Sequence, residues 1–235
     1  APEKIERLQR IAGYTWTRTL DDRLGVSWEE LQRQQRTTAS PLPVQEKLLD
    51  NKEEHLIERA PVDQLSPDNP WGFKVDVPEY KYYRGELYDL EVSRGTLTSE
   101  ERYKINDHIM QTIIMLEKLP YPRHLRDVPV IAGCHHETMD GVGYPKRLRR
   151  EQMPLTARMM AIADIFEALT ASDRPYKKAK TLSEAVRIMG FMKKDRHIDP
   201  DLFELFLSSG VYLEYGRKHL QPEQLDEVDI AEYLD

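Results

Sequence analysis

"ARMMAIADIFEALTA", residues 157–171, decides the fold class. From Met159 to Phe166 its one charge is Asp164, and its apolar residues recur at helical rather than alternating spacing. The stretch follows Pro154, so a helix is predicted over 155–171. Its neighbours carry helix starts of their own. Thr181 with Glu184 forms a capping box before "LSEAVRIMGFMKK". Asp199-Pro200 opens "DLFELFLSS" with proline at the first helical position, and Gly210 stops it. Upstream, Thr98 with Glu101 caps "RYKINDHIMQTIIMLEKL", whose Ile105, Ile109, Ile113 and Leu116 share a face until Pro120 and Pro122 end it. A further helix is expected over 125–136.

The first third is less regular. Ile5, Leu8, Ile11 and Ala12 line one face of a helix over 3–13. Ser27 caps "WEELQRQQR", with Glu30 completing a capping box, and "PVQEKLLDN" reads as a short helix from 43. Pro61, Pro67, Pro70 and Pro78 then forbid a long helix. An ordered loop pinned by Trp71, with a short strand at 73–77, is expected there. The tail from Gln221 is acidic and reads as short turns. Nothing alternates strand with helix, so the chain reads as all-α.

An apolar content of 40% over 235 residues supports a real core. The net charge of −7 argues against a nucleic-acid backbone as partner, but leaves room for a small anion in a local basic pocket. The single cysteine, Cys134, excludes an internal disulfide and fits a reducing, cytoplasmic compartment. No run approaches the ~18 apolar residues of a membrane span. The opening "APEKIERLQR" lacks Met and is read as an internal cut of a longer protein.

Chemistry concentrates in "GCHHETMDGVGYP", residues 133–145. Adjacent helical residues diverge by about 100°. His135 and His136 therefore reach different ions, or one ligates while the other hydrogen-bonds, or both cap a helix end. A lone carboxylate such as Asp164 on an apolar helix is costly unless paired or metal-bound. Periodicity puts it with Met160, Ala161 and Ala168 on the side expected to pack inward, with pairing to an Arg at the wet edge as the alternative. His108, near Ile105 and Thr112, is a third imidazole. Three imidazoles and a carboxylate suit Zn, Fe, Mn or Ni rather than Mg or Ca. Gly141 and Gly143 allow positive φ, Pro145 fixes the exit, and Tyr144 between them reads as a displayed ring able to stack a nucleobase. Arg174 and Lys177 in "DRPYKK" can bracket one anion.

"HHETMDGVGYP", "ARMMAIADIFEALTASDRPYKKAKTLSEA" and "HIDPDLFELF", in that order, resemble the HD-GYP family of phosphodiesterases over about residues 86–210. The resemblance implies a helical HD-domain-like bundle holding two or three divalent metal ions, iron or manganese. It implies hydrolysis of cyclic di-GMP to pGpG or GMP in bacterial signalling. His108, His135, His136 and Asp164 match the family's metal ligands. Gly143, Tyr144 and Pro145 match its loop, and Arg174 and Lys177 its phosphate contacts. Beyond a metal-bound hydroxide no catalytic group is implied.

The family's His-Asp dyad is missing: no such dipeptide occurs, and Asp107-His108 runs the other way. Residues 1–85 read as a family-specific insertion, and 86–235 as the GYP part of the domain. The dyad is expected upstream of Ala1, with a degenerate member as the rival reading. This chain alone is therefore expected to bind metal weakly and to turn over little substrate. The expected partners are a cyclic dinucleotide, a protein meeting the Gly-Tyr-Pro loop, an upstream sensor domain that could be membrane-bound, and a second copy in a homodimer. An inactive binding module and an HD-type hydrolase of another nucleotide stay open.

Overall fold

The computed structural model describes residues 2–92, 95–172 and 179–234. It divides into two compact units. The first comprises Ala1–Ser66 and Asp76–Ile105, the second Pro67–Val75 and Asn106–Asp235.

In the first unit, helix α1 (Pro2–Ala12) leads into strand β1 (Thr15–Arg18). Helix α2 (Trp28–Gln34) follows, with the Ser27 hydroxyl accepting the Glu30 amide as its cap. The helix expected from 43 is instead strand β2 (Val44–Lys47), antiparallel to β1 with Thr15 opposite Lys47 and Arg18 opposite Val44. Cross-strand chemistry overrides the helix-forming composition: Arg18 Nε donates to Glu46 Oε1 at 2.8 Å, and Lys52 reaches the other carboxylate oxygen. A second ladder pairs β3 (Leu56–Glu58) with β4 (Tyr80–Tyr83). Short helix α3 (Glu86–Leu90) precedes the Thr98–Glu101 capping box, which forms as read, with Glu101 N to Thr98 Oγ1 at 3.2 Å and the reciprocal bond at 3.0 Å. These two ladders are the only strands among the described residues, and the fold is helical.

Helix α4 (Ser99–Glu117) carries His108. Its buried face is Ile109, Met110 and Ile113, whereas Ile105 is exposed. The expected strand at 73–77 does not form. Asn69 holds Phe73 instead, accepting from its amide at 2.9 Å and donating to its carbonyl at 3.0 Å, while Trp71 stacks on the Phe73 ring.

Helix α5 (Val128–Gly133) is shorter than expected and delivers the histidine pair just past its end. Helices α6 (Leu155–Thr170), α7 (Leu182–Lys194), α8 (Pro200–Ser208) and α9 (Val211–His219) enclose the main core. It contains Ile162, Phe166, Leu182, Val186, Met189, Ile198, Phe203 and Leu207. Each such side chain stabilises by about 1.5–3 kcal/mol through burial. The Thr181–Glu184 capping box and the Asp199 cap both form. Asp199 accepts from the amides of Asp201 and Leu202, and also takes Arg150 Nε at 2.9 Å and an Arg158 guanidinium nitrogen. Arg158 is thus a half-buried ion-pair partner.

The tail folds back over the helices. Gln224 Nε2 donates to the carbonyls of Thr170 and Lys180, each at 2.8 Å. Tyr233 covers Gly190, where a Cβ would sit 2.7 Å from its ring.

Candidate metal centre

Three imidazoles converge among the described residues. One nitrogen from each of His108, His135 and His136 lies within 4.8 Å of the other two. His108 comes from the middle of α4, while the pair follows α5. His136 Nε2 sits 3.2 Å from His108 Nε2. Two nitrogens each about 2.0–2.1 Å from one ion, at tetrahedral or octahedral angles, stand roughly 3 Å apart. The donor set and spacing thus fit a first-row transition metal.

His135 stays close to its neighbour, 4.1 Å between ring centroids, because the pair follows the end of α5 rather than lying within a helix. Its Nδ1 lies 2.6 Å from the Ala132 carbonyl, which holds the proton on Nδ1 and leaves Nε2 as the free donor. Burial, with the nearby His135 and His108, pushes the pKa of His136 down to about 4. Its ring is therefore neutral, the form that ligates.

Asp164 is exposed on α6, not inward as its periodicity suggested. The buried stripe of that helix is Ala157, Ala161, Ile162, Phe166 and Thr170. Asp164 nevertheless bears on the cluster, because its charge favours the protonated forms of both His136 and Tyr144. It lies outside the three-imidazole set and faces it electrostatically.

The turn beside the cluster is built from buried polar bonds. Tyr144 N donates to the His136 carbonyl at 3.2 Å, and the Tyr144 ring stacks on the His136 imidazole, 4.9 Å between centroids and 15° apart. Tyr144 is therefore half-buried against a candidate ligand rather than fully displayed. Gly141 adopts φ +83° as read. Gly143 is required for a different reason, since a Cβ there would meet Thr138 N at 2.5 Å and Glu137 Cα at 2.6 Å. Pro145 is buried at the exit of the turn, and its carbonyl accepts the Lys74 amide at 2.7 Å. Arg174 and Lys177 lie outside the described residues.

Sequence reasoning passed over Glu137. It is 1% exposed, and its carboxylate accepts the amides of Lys146 at 2.6 Å and Leu148 at 2.8 Å. Burial raises its pKa, and these amides with that of Arg147 work against the rise. An acid directly after the pair and before two glycines was the available signal.

The HD domain family matches residues 43–202. The chain belongs to the HD domain family. Within this HD domain, the motifs that resemble HD-GYP proteins have matching relatives. It is 44% identical over 98 residues to a cyclic di-GMP phosphodiesterase of Pseudomonas aeruginosa, covering 38% of this chain and 23% of that protein. It is 37% identical over 113 residues to a 3'3'-cGAMP-specific phosphodiesterase of Vibrio cholerae, covering 48% and 21%. It is 41% identical over 85 residues to a cyclic di-GMP phosphodiesterase response regulator of Xanthomonas campestris, covering 36% and 22%. The HD domain chain thus spans less than a quarter of the length of each of these relatives.

Proposed function

We propose that this chain is the Gly-Tyr-Pro part of a metal-dependent phosphodiesterase that hydrolyses cyclic di-GMP to pGpG or GMP. The observation that carries the reading is the 3.2 Å approach of His136 Nε2 to His108 Nε2 beneath the Tyr144 ring. His108, His135, His136 and Asp164 would hold the metal, with iron or manganese suited to this mixed nitrogen and oxygen set. When bound, such ions supply Lewis-acid polarisation of a phosphoryl oxygen and lower the pKa of water.

The protein's own contribution is positional. Ala132 keeps the His135 proton on Nδ1. Burial keeps His136 neutral, and the Tyr144 ring braces its imidazole from one side. Asp164 contributes a negative charge facing cations. Tyr144 would also flank a guanine, and Arg174 and Lys177 would neutralise phosphate oxygens. An upstream sensor, a protein docked on the turn and a homodimer remain part of the proposal for the whole protein.

Three imidazoles and one carboxylate are few donors for two ions, so this chain alone should bind metal weakly. Equilibrium dialysis with Mn²⁺ tests this. We expect weak binding that His136→Ala abolishes while the circular dichroism spectrum stays unchanged. Unchanged Mn²⁺ binding in His136→Ala would remove the metal centre from the reading. In the full-length protein, a panel of cyclic di-GMP and 3'3'-cGAMP separates the two substrate classes named for the relatives. Binding of either without turnover would favour a non-hydrolysing module, a reading that the small donor set supports.

A further inference from the structure

The first unit carries none of the candidate metal ligands, yet it contains a polar cavity of about 230 Å³. A water molecule takes about 30 Å³ of liquid, so the space admits a solute of about seven or eight non-hydrogen atoms. Its walls come from β1, β2, the end of α2 and the segments beside them. Six charged side chains line it, three of each sign. Four of them neutralise one another: Arg18 meets Asp22 at 3.2 Å and Glu46 at 2.8 Å, and Lys52 meets Glu46 at 3.3 Å. The other two are Arg23 and Glu54, both half-buried, and neither forms an ion pair with any described residue. One guanidinium nitrogen of Arg23 donates to the carbonyls of Gln34 and Thr37, each at 2.9 Å. Carbonyl oxygens fix that group in place without cancelling its charge. Gln34 lines the same cavity and is 8% exposed. Its Nε2 donates to the Asp22 carbonyl at 3.3 Å, while its Oε1 is buried and accepts nothing.

We propose that this cavity binds a small zwitterionic amino acid, with Arg23 taking the carboxylate and Glu54 the ammonium. A plain anion would meet Glu54 uncompensated, and a plain cation would meet Arg23. A molecule carrying both charges answers both walls, and the remaining lining charges already cancel. The guanidinium fork suits a carboxylate, and its position is set beforehand by the two carbonyls. An ammonium has three protons to donate, more than Glu54 alone uses. Gln34 has the acceptor to spare, and turning its amide toward the cavity relieves a buried oxygen that lacks a donor. Thr38 and Ser40 add exposed hydroxyls to the lining, which favours a short polar side chain over an apolar one. The site is separate from the phosphodiesterase reading and stands or falls without it.

Isothermal titration calorimetry of the full-length protein with L-serine tests the site. Ethanolamine, which lacks the carboxylate, and 3-hydroxypropionate, which lacks the ammonium, serve as comparators. L-Serine should bind, and each comparator should bind roughly tenfold or more weakly. Glu54→Gln removes the charge without breaking a bond of the folded chain, so its circular dichroism spectrum should match wild type. It should lose L-serine affinity by roughly tenfold or more and no longer distinguish ethanolamine from a neutral alcohol. No heat of binding from L-serine would overturn the proposal. So would equal affinity for the three compounds, or L-serine binding unchanged in Glu54→Gln.

Discussion

Glu137 does its work through backbone rather than through another side chain. Its buried carboxylate gathers the amides of Lys146 and Leu148 directly after the Tyr144–Pro145 turn, and it sits next in sequence to His136. Removing the carboxylate leaves those donors buried and unmet, at about 1–3 kcal/mol for each. Glu137→Ala should therefore lower the urea midpoint by a margin equivalent to about 3 kcal/mol. Because the turn also carries the ring stacked on His136, Mn²⁺ affinity should fall with it. An unchanged midpoint would mean the turn is held by other contacts. Cys134 shows the opposite case of a buried reactive group: burial pushes its pKa up to about 11, so it packs as an inert thiol beside Met139, Met153 and Ala157.

At the level of elements, Asp199 ties together three pieces of chain by capping α8, pairing with Arg158 of α6 and accepting from Arg150 just after the turn. Burial opposes its ionisation, but the two guanidinium groups more than offset this and hold its pKa below the ordinary aspartate value. An acid lowered in the folded state contributes stability that is fully present above its unfolded pKa and lost as pH falls through the folded value. With an unfolded pKa of about 3.9, the loss sets in below about pH 4. Urea midpoints at pH 7 and pH 3 should show wild type losing stability on acidification, while Asp199→Asn starts lower and falls less. Equal slopes in the two proteins would assign acid sensitivity elsewhere.

The legible elements were those with local punctuation. The capping residues Thr98, Thr181 and Asp199 announced α4, α7 and α8 because a cap bonds within its own first turn. Strand β2 was misread, since Gln45, Glu46 and Lys47 favour helix locally and only pairing with β1 makes them a strand. The inward face of α6 was misread for a related reason. Met159 and Met160 are exposed, so hydrophobicity hardly distinguishes its sides, and the small residues Ala157 and Ala161 mark the packed one. The three histidines could be picked out from their motifs. The backbone bond from Lys74 to Pro145 could not, because it links residues far apart in sequence and no local rule anticipates it.

For the molecule as a whole, net charge is a poor guide to local charge. The acidic total conceals cations concentrated after the turn, where Lys146, Arg147, Arg149 and Arg150 fall within five residues. The C-terminal tail contributes no candidate ligand, yet Gln224 is 7% exposed and spends its amide nitrogen on two carbonyls of other segments. Gln224→Ala should cost about 1–3 kcal/mol, read as a lower thermal midpoint. A melt indistinguishable from wild type would show the bonds to be incidental.

Thr170 and Lys180 are the two feet of the stretch that contains Arg174 and Lys177, and a single side chain more than forty positions downstream buckles them together. Shortening the chain to end at residue 221 would spare every histidine and all of α9, yet it would unfasten that buckle. Expression clones trimmed for tidiness at this end would then melt earlier with no ligand residue altered.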